Sequence, residues 1–183
     1  IAPAHFSVHP SLVTPQEVAL MRSLIQYAEL DTDPDSVDKL STHEFYLERS
    51  GSFHGIADIS GKPDALPSVF SKRLPIRERL AEVARPIMSE RILPLVNARY
   101  SKACSVNDEE GRCVVCHSLV RKYIEGERMG HPTHFDIQAL VTVVVPLSSF
   151  GDDFEGGLYV STGAGYDGQE AFLPLRAGDA VFH

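Results

Sequence analysis

The sequence predicts an α+β chain, mainly β, in which helices come first and strands follow, and three observations carry that class. Thr14-Pro15-Gln16-Glu17 is a capping box with proline at the first helical position, and apolar residues follow it at helical spacing. Between residues 74 and 99, Leu80, Val83, Ala84, Ile87, Ile92, Leu95 and Val96 repeat the same period. From residue 112 onward the pattern changes to short apolar or alternating runs separated by Gly, Pro, Ser and Asp, which is how strands and their turns are written. At 183 residues, 43% hydrophobic and 23% charged, the chain suits one domain able to bury a core, with helical support over about 1–100 and a strand core over about 100–183. Neither an internal repeat nor a linker divides it.

Taken in order, the first helix is expected over 15–30, with Val18, Leu20, Met21, Leu24, Ile25 and Ala28 on its apolar side and Asp31-Thr32-Asp33-Pro34-Asp35 ending it. Residues 31–42 read as a polar loop. Alternating Phe45 and Leu47 give a short strand over 44–48, closed by the turn Arg49-Ser50-Gly51-Ser52, and 56–67 is irregular. The second helix starts near Leu74-Pro75 and runs towards Arg99, kinked by Pro86 and Pro94, because proline removes the N–H that an interior turn needs. Asn107-Asp108-Glu109-Glu110-Gly111 reads as a hairpin turn and 112–124 as an alternating strand. ALVTVVVPL, residues 139–147, reads as a buried strand. A turn over 148–153 precedes three further segments at 154–160, 172–175 and 178–183.

Charge and hydropathy exclude some partners. A formal charge of −8 without a basic stripe argues against nucleic acid, and the longest apolar run, 139–147, falls far short of the about 20 residues that cross a bilayer. The chain opens on Ile1, which leads us to expect processing or a boundary within a longer protein. Oligomeric state and compartment are not written in the sequence.

The chemistry concentrates in YIEGERMGHPTHFD, residues 123–136. On a strand His134 and Asp136 point to one face, roughly 7 Å apart along it, while Phe135 packs on the other. One imidazole and one carboxylate on a shared face, completed by a second histidine from elsewhere, describe the facial triad of non-haem iron oxygenases. His131 falls off that face, and Pro132 denies it a helix that would bring it to His134, so we expect it at the rim. Cys113-Val114-Val115-Cys116-His117 matches a c-type haem attachment signature, and Cys104, Cys113, Cys116 and His117 could make a zinc site. Strand alternation sets Cys113 and Cys116 on opposite faces and argues against both; a Cys104–Cys113 pair across the hairpin and plain buried thiols stay open.

These motifs together resemble a family. Tyr123 with Gly126, His134 with Asp136, Phe154 with Gly156 and Gly157, and Pro174 with Gly178 and Asp179 match the pattern of the prolyl 4-hydroxylase-like 2-oxoglutarate and Fe(II)-dependent dioxygenases, over roughly residues 110–183. The resemblance implies a double-stranded β-helix, or jelly roll, braced by the N-terminal helices. It implies Fe(II) held by His134, Asp136 and a distal histidine, 2-oxoglutarate as co-substrate touched by Tyr123, ascorbate as a reductant, and hydroxylation of an unactivated C–H bond, such as one on a prolyl residue of a protein or peptide. It departs from the pattern at the end. The family's distal histidine follows the Gly-Asp pair by about eleven residues, with a basic residue for the co-substrate's far carboxylate later still, whereas this chain offers His183 and no such basic residue. The third ligand is therefore either His183 or a residue of a longer protein. Read without the chemistry, the same chain is a non-catalytic jelly-roll binding or assembly subunit; a cupin of another reaction type shares the fold. Gly156 and Gly157 point to close backbone approach, and Asp152, Asp153 and Glu155 to a solvated turn. His5, His9, His43 and His54 carry no spacing signal.

Overall fold

Helix α1 (Pro15–Ile25) forms where the capping box directs it. The Thr14 hydroxyl accepts the Glu17 backbone N–H at 3.3 Å, and the Glu17 carboxylate accepts the Thr14 N–H at 2.8 Å. The same carboxylate takes a guanidinium bond from Arg91 at 2.8 Å, and Arg91 also donates to the Leu12 carbonyl at 3.0 Å. The cap thereby doubles as a tertiary tie. The computed structural model describes residues 6–28, 31–34, 41–49, 74–104, 112–127, 131–136, 139–161 and 170–183. α1 stops five residues short of the expected end, where Gln26 caps it, and Leu20 turns to solvent while Val18, Met21 and Leu24 are buried.

The second helical stretch is continuous but not uniform. Helix α2 (Leu74–Pro86) passes into a π-helical turn (Ile87–Ile92) and then helix α3 (Leu93–Cys104). Across that turn the Leu93 N–H reaches back to the Met88 carbonyl, a five-residue step. Both prolines flank it, each lacking the N–H of a four-residue step, so the expected kinks are resolved as a change of helical period. Leu80 and Ile87 from this stretch pack with Val13, Val18, Met21 and Leu24 in the main core.

The described strands form three small antiparallel sheets. β1 (Ser7–His9) and β5 (Val143–Val144) flank β8 (Ala180–Phe182); β2 (Asp31–Pro34), β3 (Ser41–Arg49) and β4 (His117–Lys122) lie in that order; β6 (Leu158–Ser161) pairs with β7 (Glu170–Leu173). The described residues form a mixed α and β structure, and among them these sheets do not close into a barrel. β2 replaces part of the expected loop, because β3 extends back to Ser41 and offers it partners; Pro34, lacking a ladder donor, lies in an edge strand. β4 is the ordered middle of the expected 112–124 strand, and β6 starts only at Leu158, after Gly156 at φ +90°. The 139–147 run is a strand only at Val143–Val144; a turn closes Asp136 to Ala139 before it, and Pro146 cannot extend the ladder after it. Residues 50–52, 56–67 and 107–111 lie outside the described set. Cys104 ends helix α3 and so is not a strand residue of the expected hairpin, whose turn lies outside the described set. No described helix is long and apolar enough to cross a membrane.

β8 carries the end of the chain into the core, with Ala180, Val181 and Phe182 each 0% exposed. Gly178 sets its entry. Its carbonyl accepts the Val13 N–H and its own N–H reaches the Pro146 carbonyl, both at 2.9 Å. With φ at +90°, a Cβ there would lie 2.3 Å from the Val13 carbonyl oxygen. Asp179 completes the junction, accepting the Ser11 N–H at 2.9 Å and the Arg176 N–H at 2.8 Å.

Two outcomes follow from these contacts. Gly178→Ala meets left-handed backbone strain and a backbone clash together, so chemical denaturation is expected to show a loss of at least about 3 kcal/mol; a variant as stable as the wild type would refute this account of the turn. The Arg91 hydrogen bond, working against burial and helped by Thr14, holds the Glu17 carboxyl at about 2 against an ordinary 4.5. A depressed folded pKa contributes stability that is present above pH 4.5 and lost as pH falls towards 2, so Glu17→Gln should lose about 1–2 kcal/mol near neutrality, after allowance for solvent screening, and show a flatter acid limb in pH-dependent melting.

Candidate metal centre

Pro132 decides the local structure of 131–136. It donates nothing to a ladder, and its carbonyl is taken by two imidazoles: His134 Nδ1 at 2.9 Å and His131 Nδ1 at 3.1 Å. Residues 131–136 are consequently not a strand, as the alternation argument expected, but an irregular segment that turns back through Ala139 N–H to Asp136 carbonyl at 3.0 Å. His134 and Asp136 converge nonetheless, with His134 Nε2 at 3.5 Å from Asp136 Oδ1.

A carbonyl only accepts, so the His134 nitrogen facing Pro132 carries a proton, and Nε2 is the nitrogen turned to Asp136. That nitrogen and a carboxylate oxygen face each other: with the ring protonated they form an ion pair, and with Nε2 unprotonated they are two lone-pair donors that a cation would bridge. Cis donors on one ion at bonds of about 2.1 Å stand about 3 Å apart, close to the separation seen here. A neutral imidazole whose other nitrogen is held by a backbone carbonyl is also the usual form of a metal-bound histidine.

His183 follows the buried β8. Its backbone N–H and C=O both pair with Thr142, at 3.0 and 2.8 Å, and opposed residues of an antiparallel pair share a face. The Thr142 hydroxyl in turn donates to Asp136 Oδ2 at 2.6 Å. Burial holds the His183 imidazole below its ordinary value, Asp136 pulls it up and His134 pushes it down, so all three groups lie within electrostatic reach. They stop short of a ready-made cage. Among the described residues no three His, Cys, Asp or Glu side chains are gathered closely enough to hold an ion as they stand.

The remaining expectations fall out as follows. His131 sits against His134, ring centroids 4.3 Å apart, which places it beside the pair. Tyr123 is 59% exposed, directly after β4, whose sheet does not include β8; a described neighbour is Arg121, whose guanidinium burial would lower but Glu44 and Tyr123 hold raised. Gly157 lies directly under Phe172, where a Cβ would come to 2.5 Å from the ring, so close approach explains it. Val141, Val143 and Val145 pack against the Val96, Ala180 and Phe182 cluster. Asp153 is more than a solvated turn residue, since it accepts the Ser149 N–H at 2.8 Å and two Arg22 bonds at 3.2 Å; that backbone bond first, then Arg22, lowers its pKa. His9 stacks on Phe182 at 4.5 Å and His43 pairs with Glu127, so neither is an idle surface residue; His5 and His54 lie outside the described set.

Thr142 is the residue that sequence reasoning passed over. Its signal was present: a lone hydroxyl inside an otherwise apolar run six residues after Asp136. Cys113 is disulfide-bonded while Cys116 is a thiol, which removes the sulfurs that haem attachment or a zinc site would need. The Cys113 N–H docks on α3 through Asn97 Oδ1 at 2.7 Å.

No family model, curated protein or solved structure matches the chain. With 3 cysteines and an intrachain disulfide, a thiol assay in denaturant should count one thiol before reduction and three after it; three at the outset would refute the disulfide.

Proposed function

We propose that the chain is an Fe(II)- and 2-oxoglutarate-dependent dioxygenase domain, of jelly-roll descent, that hydroxylates an unactivated C–H bond, with a prolyl residue of a protein or peptide as the model substrate. The observation that carries this reading is the convergence of His134 Nε2 and Asp136 Oδ1, 3.5 Å apart, within electrostatic reach of His183. A hard carboxylate with imidazole is the donor set that suits non-haem iron. His134, Asp136 and His183 are the residues that would hold the ion, in the indicated His-x-Asp plus distal histidine pattern. When bound, iron supplies with 2-oxoglutarate and O₂ the oxidising chemistry, releasing succinate and CO₂ as the substrate carbon gains a hydroxyl. The chain's own contribution is to fix donors: the Pro132 carbonyl orients the His134 ring, and β8 presents His183 from a buried strand.

A second reading is a non-catalytic jelly-roll subunit. It is favoured by Tyr123 following β4, a strand of another sheet, and by the absence, among the described residues, of three gathered donors.

The test is metal content and succinate formation with Fe(II), 2-oxoglutarate and ascorbate, beside Asp136→Ala. Bound iron with succinate production, both abolished by the substitution, is the expected result. A folded protein that binds no iron and decarboxylates nothing would leave the subunit reading in its place.

A further inference from the structure

Thr142 stands where three features meet, and its role follows from what each of its groups does. Its backbone N–H and C=O both pair with His183, and its hydroxyl donates to Asp136 Oδ2 at 2.6 Å. A hydroxyl bond to a carboxylate of that length is charge-assisted and directional. It occupies one carboxylate oxygen and leaves Oδ1 as the one turned to His134 Nε2, 3.5 Å away. One residue thereby fixes both the rotation of the acidic donor and the strand register of the second histidine.

We propose that Thr142 is a positioning residue of the metal centre, holding Asp136 as a one-oxygen donor and locking it to the β8 backbone that carries His183; this rests on the iron-site reading above. Stability does not account for the bond. The Asp136 side chain is 42% exposed, and a solvent-exposed hydrogen bond contributes little to folding. Nor does packing demand a hydroxyl, because the neighbouring positions 141, 143, 144 and 145 are all valine. Loss of a group that orients a metal ligand typically lowers metal affinity 10–100-fold.

The experiment titrates Mn(II) alone, as an oxygen-stable probe, into the whole chain carrying wild-type sequence, Thr142→Val, Thr142→Ser or Asp136→Ala, with thermal melting of each. Thr142→Val keeps size and strand propensity while removing the hydroxyl; Thr142→Ser keeps the hydroxyl. The expected result is about 10–100-fold weaker Mn(II) binding in Thr142→Val, affinity near wild type in Thr142→Ser, and similar melting for all. Equal affinity in wild type and Thr142→Val, with Asp136→Ala inactive in binding, would overturn the role of Thr142 and leave the metal site standing. Equal failure of wild type and Asp136→Ala to bind would overturn the site itself and this inference with it.

Discussion

A three-residue strand holds the fold and the candidate site in one frame. β8 lies between β1 and β5 with all three of its side chains removed from solvent, Val181 joining one apolar cluster and Ala180 and Phe182 another. Apolar burial of that completeness fixes the strand's height and register, because a slip by one residue would exchange its two buried faces and draw a flanking polar residue, Asp179 or His183, into the core. The N-terminal segment is tied to it through Val13 and Ser11, and the 139–147 segment through Pro146 and Thr142. His183, one residue beyond this strand, inherits its position.

The electrostatics of the site rest on a backbone carbonyl. Because Pro132 takes the Nδ1 protons of His131 and His134, the remaining nitrogen of His134 is the one turned to Asp136. A positive charge there, whether a proton on that nitrogen or a bound cation, makes the pair favourable. Thr142 relieves part of the carboxylate's demand from the far side and leaves the near oxygen free. The proposed cation would complete this pair rather than enter a finished cage.

Local signals in the sequence were legible where the cause is local. Thr14 and Glu17 write the start of α1, Pro86 and Pro94 write the change of helical period, and the apolar 180–182 run writes a core strand. Where a distant partner decides, the sequence misleads. Asp31–Pro34 is strand because β3 pairs with it, and Leu20 has helical spacing but no partner surface. His134 and Asp136 converge as expected for a reason that alternation did not supply, since Pro132 breaks the strand that was to align them. Thr142 was hidden because a threonine in a valine run has strand propensity as its ordinary explanation. Closure of the sheets cannot be read from segment patterns, which specify faces but not the pairing between distant edges.

The central claim is that His134 and His183 share one ion, and histidine-selective NMR with stepwise addition of Mn(II) tests it most directly, because the paramagnetic ion broadens only the rings next to it. Of the 8 histidines in the chain, His134 and His183 should broaden first and together, with His131 next through its contact with His134. Broadening confined to other histidines, or none at stoichiometric metal, would contradict the claim.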